Sequence, residues 1–364
     1  MDRRRLVMLL APGLFVLASF QLTHWLRHPV PPAWSPNVVD ATSVSGIRWQ
    51  ELTPTLEVPG LNAACELREQ EVRVALGDGF STWTASPFVL AGDIEADALQ
   101  RIYRRTILPA SQAMNSEYFS RTPTEPITLL LFSRAETYEA TAERLFGDRH
   151  VSVYGYYRPR ERMVLVNLAT GSGTLVHELT HALMHFDYPN APAWLQEGLA
   201  SLHEHGEYVT EAGQWVLRGR VNWRLHDLPD SNLDQWRLGE LLARGDLRGD
   251  DEASWYALAR YLCLFLQDRH ALANVYRDMR ERDRGIPNDF VEDDWIALPH
   301  RPDDVMSDHQ GEETLDSDEI EPLLQAFGAN DIDTIELRFR NWVDQLSVRR
   351  QTRPTVSARM AHWF

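Results

Sequence analysis

Residues Thr174 to Phe186 read TLVHELTHALMHF. The apolar residues Leu175, Val176, Leu179, Ala182 and Leu183 recur at spacings of three and four, the period of a helix with one buried face. The turn Gly171-Ser172-Gly173-Thr174 precedes them and is expected to supply the N-cap, and the helix is expected to end near Phe186, ahead of Pro189 and Pro192. His177 and His181 stand four residues apart, so their imidazoles share a helix face and can reach one cation. Glu178 completes an H-E-x-x-H pattern. Neutral imidazole is a favoured zinc donor, and zinc lowers the pKa of a bound water to about 7. A carboxylate at Glu178 can accept that water's proton as general base.

Ala193 to Ala200, AWLQEGLA, opens a second helix, and fifteen residues separate His181 from Glu197. That length lets one helix finish, the chain reverse, and a second helix bring the Glu197 carboxylate to the open side of the ion. Two His and one Glu leave a fourth position vacant, as catalytic rather than structural zinc requires. His185 lies one turn further along the same face. Three in-line histidines reach too far along the axis to share an ion, so His185 is read as a neighbour of the site or a surface residue. His203 and His205 are expected at the surface or in the cleft.

Before this pair of helices, Phe88-Val89-Leu90 reads as a short strand. Ile94 to Phe119 reads as a helix capped by Asp93 and bent or divided at Pro109. Ile127 to Phe132 is a β-type run, and Ser133 with Glu136 forms a capping box for a helix reaching about Phe146. A second strand runs from Met163 to Leu168. After the pair, helices are expected over Leu238–Ala243, Ser254–Gln267, Ala271–Arg282 and Ile332–Leu346. Residues 283–320 are acidic, poor in apolar residues and broken by Pro287, Pro299 and Pro302, which predicts a long loop. The expected architecture is α+β: a small mixed sheet beside the two site helices within residues 51–205, then a helical subdomain over 206–350 and a tail over 351–364.

The formal charge of −17 excludes a nucleic-acid partner, which needs a clustered positive surface. Cys65 and Cys263 have no C-x-x-C spacing, which excludes a cysteine metal site; one disulfide and two free thiols both remain open. Arg3, Arg4 and Arg5 precede an apolar stretch from Leu6 to Leu22, the pattern of an export signal or membrane anchor over residues 1–28. A Pro-rich tether follows to about residue 50. The globular part is therefore expected outside the cytoplasm, secreted or held to the membrane by the N-terminal segment.

The segment TLVHELTHALMHF…APAWLQEGLASLHE resembles the gluzincin metallopeptidases, and among them the peptidase-MA-like families of exported bacterial proteins. The match is strong over about residues 150–205 and extends more weakly back to Phe88. The resemblance implies a zincin-like fold, a zinc cofactor held by His177, His181 and Glu197, and hydrolysis of a peptide or protein substrate. It also implies that Met163–Leu168 borders the cleft and pairs with an extended substrate. Thermolysin-like gluzincins carry an Asp four residues after the ligand Glu to steady the first histidine; here that residue is Ser201, and its hydroxyl, Glu204 or a backbone carbonyl are the candidate substitutes. Ser254-Trp255-Tyr256-Ala257-Leu258 resembles the family segment whose Tyr approaches the metal, with Ala259 in place of its Ser. Tyr256 is thus the candidate oxyanion donor, with Tyr261, His226 and Tyr157 as competitors. Two other functions share this sequence: an exported binding or scaffold protein on a retained metallopeptidase fold, and a zinc hydrolase of a non-peptide amide.

Overall fold

Apolar runs without polar alternation need burial on both faces, and here they form the inner strands of a sheet. The computed structural model describes residues 58–211, 214–229, 236–283 and 317–352. Helix α1 (Leu61–Leu76) leads into strands β1 (Ser81–Ala85) and β2 (Phe88–Gly92). Helix α2 (Ala96–Ile102), a π-helical turn (Tyr103–Ile107) and α3 (Leu108–Glu117) replace the single long helix expected there. Pro109 lies in the first turn of α3, where its missing N–H leaves no intrahelical bond unmade. Strand β3 (Ile127–Phe132), helix α4 (Ala135–Phe146) and strands β4 (Gly155–Arg158) and β5 (Met163–Asn167) complete the first layer.

The five-stranded sheet has the order β1-β2-β3-β5-β4. Strands β2, β3 and β5 are parallel, and β1 and β4 flank them antiparallel. Period-two alternation divides each inner strand between two cores. Ile127, Leu129, Leu131, Val164 and Val166 face the main core, while Leu130, Phe132, Met163 and Leu165 pack with Val72, Leu76, Tyr138 and Ala142 on the opposite face. Met163–Leu168 is therefore not the edge of the sheet: Val164 lies between Leu129 and Tyr157, and the edge strand is β4.

Two expected caps also differ. Asp93 does not cap a helix; its Oδ1 accepts a hydrogen bond from the backbone N–H of Ser133 at 2.6 Å. That bond ties the ends of β2 and β3 together, and α4 starts from Arg134 without a side-chain cap.

The site layer follows: α5 (Ser172–Asp187), α6 (Ala193–Glu204), and a hairpin of β6 (Gly206–Glu211) and β7 (Gln214–Gly219). The hairpin corrects the expectation of a purely helical second half. A 3-10 turn (Trp223–Asp227) precedes α7 (Leu238–Ala243), α8 (Glu252–Asp268), α9 (Leu272–Asp283), α10 (Ser317–Phe327) and α11 (Ile332–Thr352). Helix α8 lies against α6 so closely that a Cβ on Gly198 would stand 2.6 Å from the Ala259 carbonyl oxygen and 2.7 Å from Cys263 Sγ. Only glycine allows that approach, and it sits next to Glu197. Cys65 and Cys263 are both buried and free, in separate clusters, so no disulfide joins them.

The chain is thus a mixed α+β protein. The expected signal or anchor, the tether, most of the acidic loop and most of the tail lie outside the described residues. No helix among the described residues is long and apolar enough to cross a membrane.

Candidate metal centre

Leu175, Val176, Leu179, Ala182, Leu183 and Met184 are buried and fix how α5 is turned against the core. His177 and His181 then fall on its partly open side, with side chains 15% and 13% exposed. Helix α6 starts after Pro192 and buries Trp194, Leu195 and Leu199, which turns Glu197 toward α5. Gly173 allows the two helices to meet near the start of α5, since a Cβ there would lie 2.7 Å from the Glu204 carbonyl oxygen.

Three donor atoms converge. Nε2 of His177 is 3.2 Å from Nε2 of His181, and Oε2 of Glu197 lies 3.4 Å and 3.7 Å from these nitrogens. Tetrahedral zinc with bonds of 2.0–2.1 Å separates its ligand atoms by about 3.3 Å, so the spacing suits that ion. The polar accounting points the same way: Oε2 of Glu197 is buried and has no hydrogen-bond partner among the described residues. A cation between the three atoms would satisfy all of them.

The charges around them are lopsided. Burial pulls the His177 imidazole toward neutrality, but Glu197, Glu178 and Glu204 outweigh it and lift its pKa to about 9. Burial would raise Glu197, yet His181 and His177 hold it far below the usual carboxylate range. Glu178 is buried, and burial pushes its carboxyl up against the pull of His177 and His181. Three carboxylates around two imidazoles form a donor set that calls for positive charge.

Glu204 is the carboxylate nearest the other nitrogen of the first histidine, with Oε2 4.0 Å from His177 Nδ1. Burial raises Glu204, and the charges of His177, His205, Arg224 and Arg260 together bring it below its usual range. Ser201 does not take this place: its side chain is fully buried, and its carbonyl accepts from the Arg260 guanidinium. Nor is His203 a surface or cleft residue. It is 1% exposed, its ring packs 5.5 Å from that of Tyr118, and burial, with Arg260 and Arg218 nearby, lowers its pKa to about 3. His205 is exposed, and His185 lies beside Tyr157 at 5.9 Å, outside the donor cluster.

Tyr256, on the first turns of α8, is half-buried. Burial and then the charge of Glu197 raise its pKa, so the phenol keeps its proton and can donate it in a hydrogen bond. Tyr261 is committed elsewhere, accepting from Asn222 N–H at 3.2 Å and donating to its carbonyl at 3.1 Å. His226 is exposed, and Tyr157 packs on His185. Sequence reading missed the arginines around the cluster: Arg224, Arg248 and Arg260 belong to no motif, and only the return of the chain after the hairpin brings them here. The chain matches no protein-family model and no curated protein sequence.

Proposed function

We propose that this chain is a zinc-dependent peptidase of gluzincin type on a zincin-like fold, exported and secreted or anchored through its N-terminal segment. The observation that carries the reading is the convergence of His177, His181 and Glu197 donor atoms at 3.2–3.7 Å beside the buried acid Glu178. His177, His181 and Glu197 would hold a zinc ion, which would supply Lewis acidity and lower the pKa of water toward neutrality. Glu178 takes a proton from the attacking water and returns it to the leaving amine. Tyr256 donates a hydrogen bond to the carbonyl oxygen as that atom gains charge. Glu204 orients His177 through Nδ1, the role that a carboxylate behind a metal-bound imidazole commonly fills. An extended peptide pairs with β4, whose outer edge has no strand partner among the described residues, and its side chains then alternate between the two sides of the extended sheet.

Zinc content and peptide turnover, measured together on wild type, Glu178→Gln and His177→Ala, test the proposal. Glu178→Gln should keep zinc and lose about 10²–10⁴-fold in turnover. His177→Ala should lose the metal. Wild-type turnover in Glu178→Gln would refute the mechanism. A zinc-loaded wild type that cleaves nothing in a broad peptide library would favour a non-peptide amide substrate or a scaffold role.

A further inference from the structure

Arg260, Arg248 and Arg224 stand around the donor cluster, and they are not equivalent. Arg260 gives its guanidinium hydrogens to the carbonyls of Ser201 and Arg220. Arg248 is held by Asp246, with Nε 2.9 Å from each carboxylate oxygen and Nη2 2.7 Å from Oδ2. Arg224 has no such partner. Its guanidinium lies 4.6 Å from the Trp223 ring centre and 5.6 Å from that of Tyr256. Its Nε is buried without a hydrogen bond, and among the described residues no carboxylate forms an ion pair with it.

A half-buried guanidinium has given up much of its hydration and, unlike lysine, cannot shed its charge. Such a group is costly unless something anionic arrives. Its place is specific: it packs on the face of Tyr256 and lies within electrostatic reach of Glu204, which backs His177. The chain as a whole carries −17 and repels anions, so a cation without a contact ion pair at this point runs against the general surface. The planar fork of arginine matches a carboxylate with two parallel hydrogen bonds.

We propose that Arg224 is a carboxylate-binding residue of this cleft, so that the preferred substrate carries a free carboxylate beside the scissile bond. The inference rests on the peptidase reading and deepens it. The carboxylate has two possible sources, the C-terminus of the peptide or an Asp or Glu side chain next to the cleaved bond.

The test is calorimetric binding with two peptide pairs, on zinc-loaded and on chelator-treated protein. One pair is acetyl-Ala-Phe-Leu with a free or an amidated C-terminus. The other is amidated acetyl-Ala-Phe-Glu-Leu and its Gln counterpart. Wild type should bind the carboxylate member of one pair about 10–100-fold more tightly, the range expected for a charged hydrogen-bonded pair. Arg224→Gln should abolish that preference, with thermal melts reporting that it folds. Should it not fold, Arg224→Lys, which keeps the charge without the fork, should retain only part of the preference. A preference in the first pair assigns the terminal carboxylate, and one in the second assigns the acidic side chain. Equal binding within both pairs, no binding of any carboxylate, or a preference that survives Arg224→Gln would overturn the proposal. Failure of the peptidase reading looks different: turnover would be indifferent to Glu178→Gln while the carboxylate preference persisted in chelator-treated protein.

Discussion

Helix α5 carries a buried polar cluster toward each end, and the two are built on opposite principles. At its C-terminal end Asp187 is 1% exposed, and both of its oxygens are fully engaged. Oδ1 accepts from Ser120 N–H at 2.9 Å, Ser120 Oγ at 3.1 Å and Arg121 N–H at 2.9 Å. Oδ2 accepts from Tyr276 Oη at 3.0 Å and Arg280 Nη1 at 2.7 Å. Two turns back, the imidazoles of His177 and His181 face each other, and the buried oxygen of Glu197 accepts no hydrogen bond among the described residues. Burial, charge and helix are shared, yet only in the first cluster is the carboxylate's set of hydrogen bonds complete. Satisfaction of the carboxylate, not burial or charge, is what separates the two clusters.

The comparison predicts effects of different size and different metal dependence. The largest is at the complete end. Asp187→Ala strands the buried Arg280 and should cost about 3–5 kcal/mol of stability in chemical denaturation, the penalty for breaking a buried pair. The loss should be the same with and without zinc, because the two clusters share no partner. A loss confined to the metal-loaded protein would merge the two regions into one. Next comes the incomplete end: zinc at about 100 times its dissociation constant should stabilise wild type by about 2.7 kcal/mol and leave His181→Ala nearly unmoved. Asp187→Ala should respond to zinc as fully as wild type does.

The smallest effect is in acid. Burial alone would raise the Asp187 carboxyl, but hydrogen bonds from Arg280, Ser120 and Arg121 outweigh it and hold it below the usual range. Its contribution is therefore complete above the unfolded value of about 3.9 and disappears as pH falls through the lower folded value. Melting profiles of wild type and Asp187→Asn should converge between about pH 5 and about pH 2. A gap that stays constant across that range would show that the carboxylate's charge contributes nothing.

Helix α5 and Glu197 were legible because their pattern is local: two histidines four apart, and a second helix after a turn bracketed by prolines. The inner strands were legible because unbroken apolar runs leave few other options. The edge strand was not. Gly155-Tyr156-Tyr157-Arg158 has no pattern to rank it above Met163–Leu168, and only pairing decides which of the two lies outside. His203 carried a signal that went unread, since it stands four residues after buried Leu199 and therefore on the same buried face of α6. The π-helical turn and the bond from Ser133 to Asp93 depend on tertiary contacts that composition does not encode. Arg224 was invisible because what matters about it is a missing partner.

The spacing of the donor residues has one more consequence. His177 and His181 ride on a single helix, and fifteen residues separate His181 from the third donor, Glu197, across the Pro189–Pro192 turn. An ion joining them would act as a cross-link closing a loop, and chain-entropy arguments give a cross-link of that loop length about 3 kcal/mol at the expense of the unfolded ensemble. Amide hydrogens of α5 and α6 would then exchange with solvent together and slowly while the ion is held, and the turn between them would become the first point of opening once it leaves.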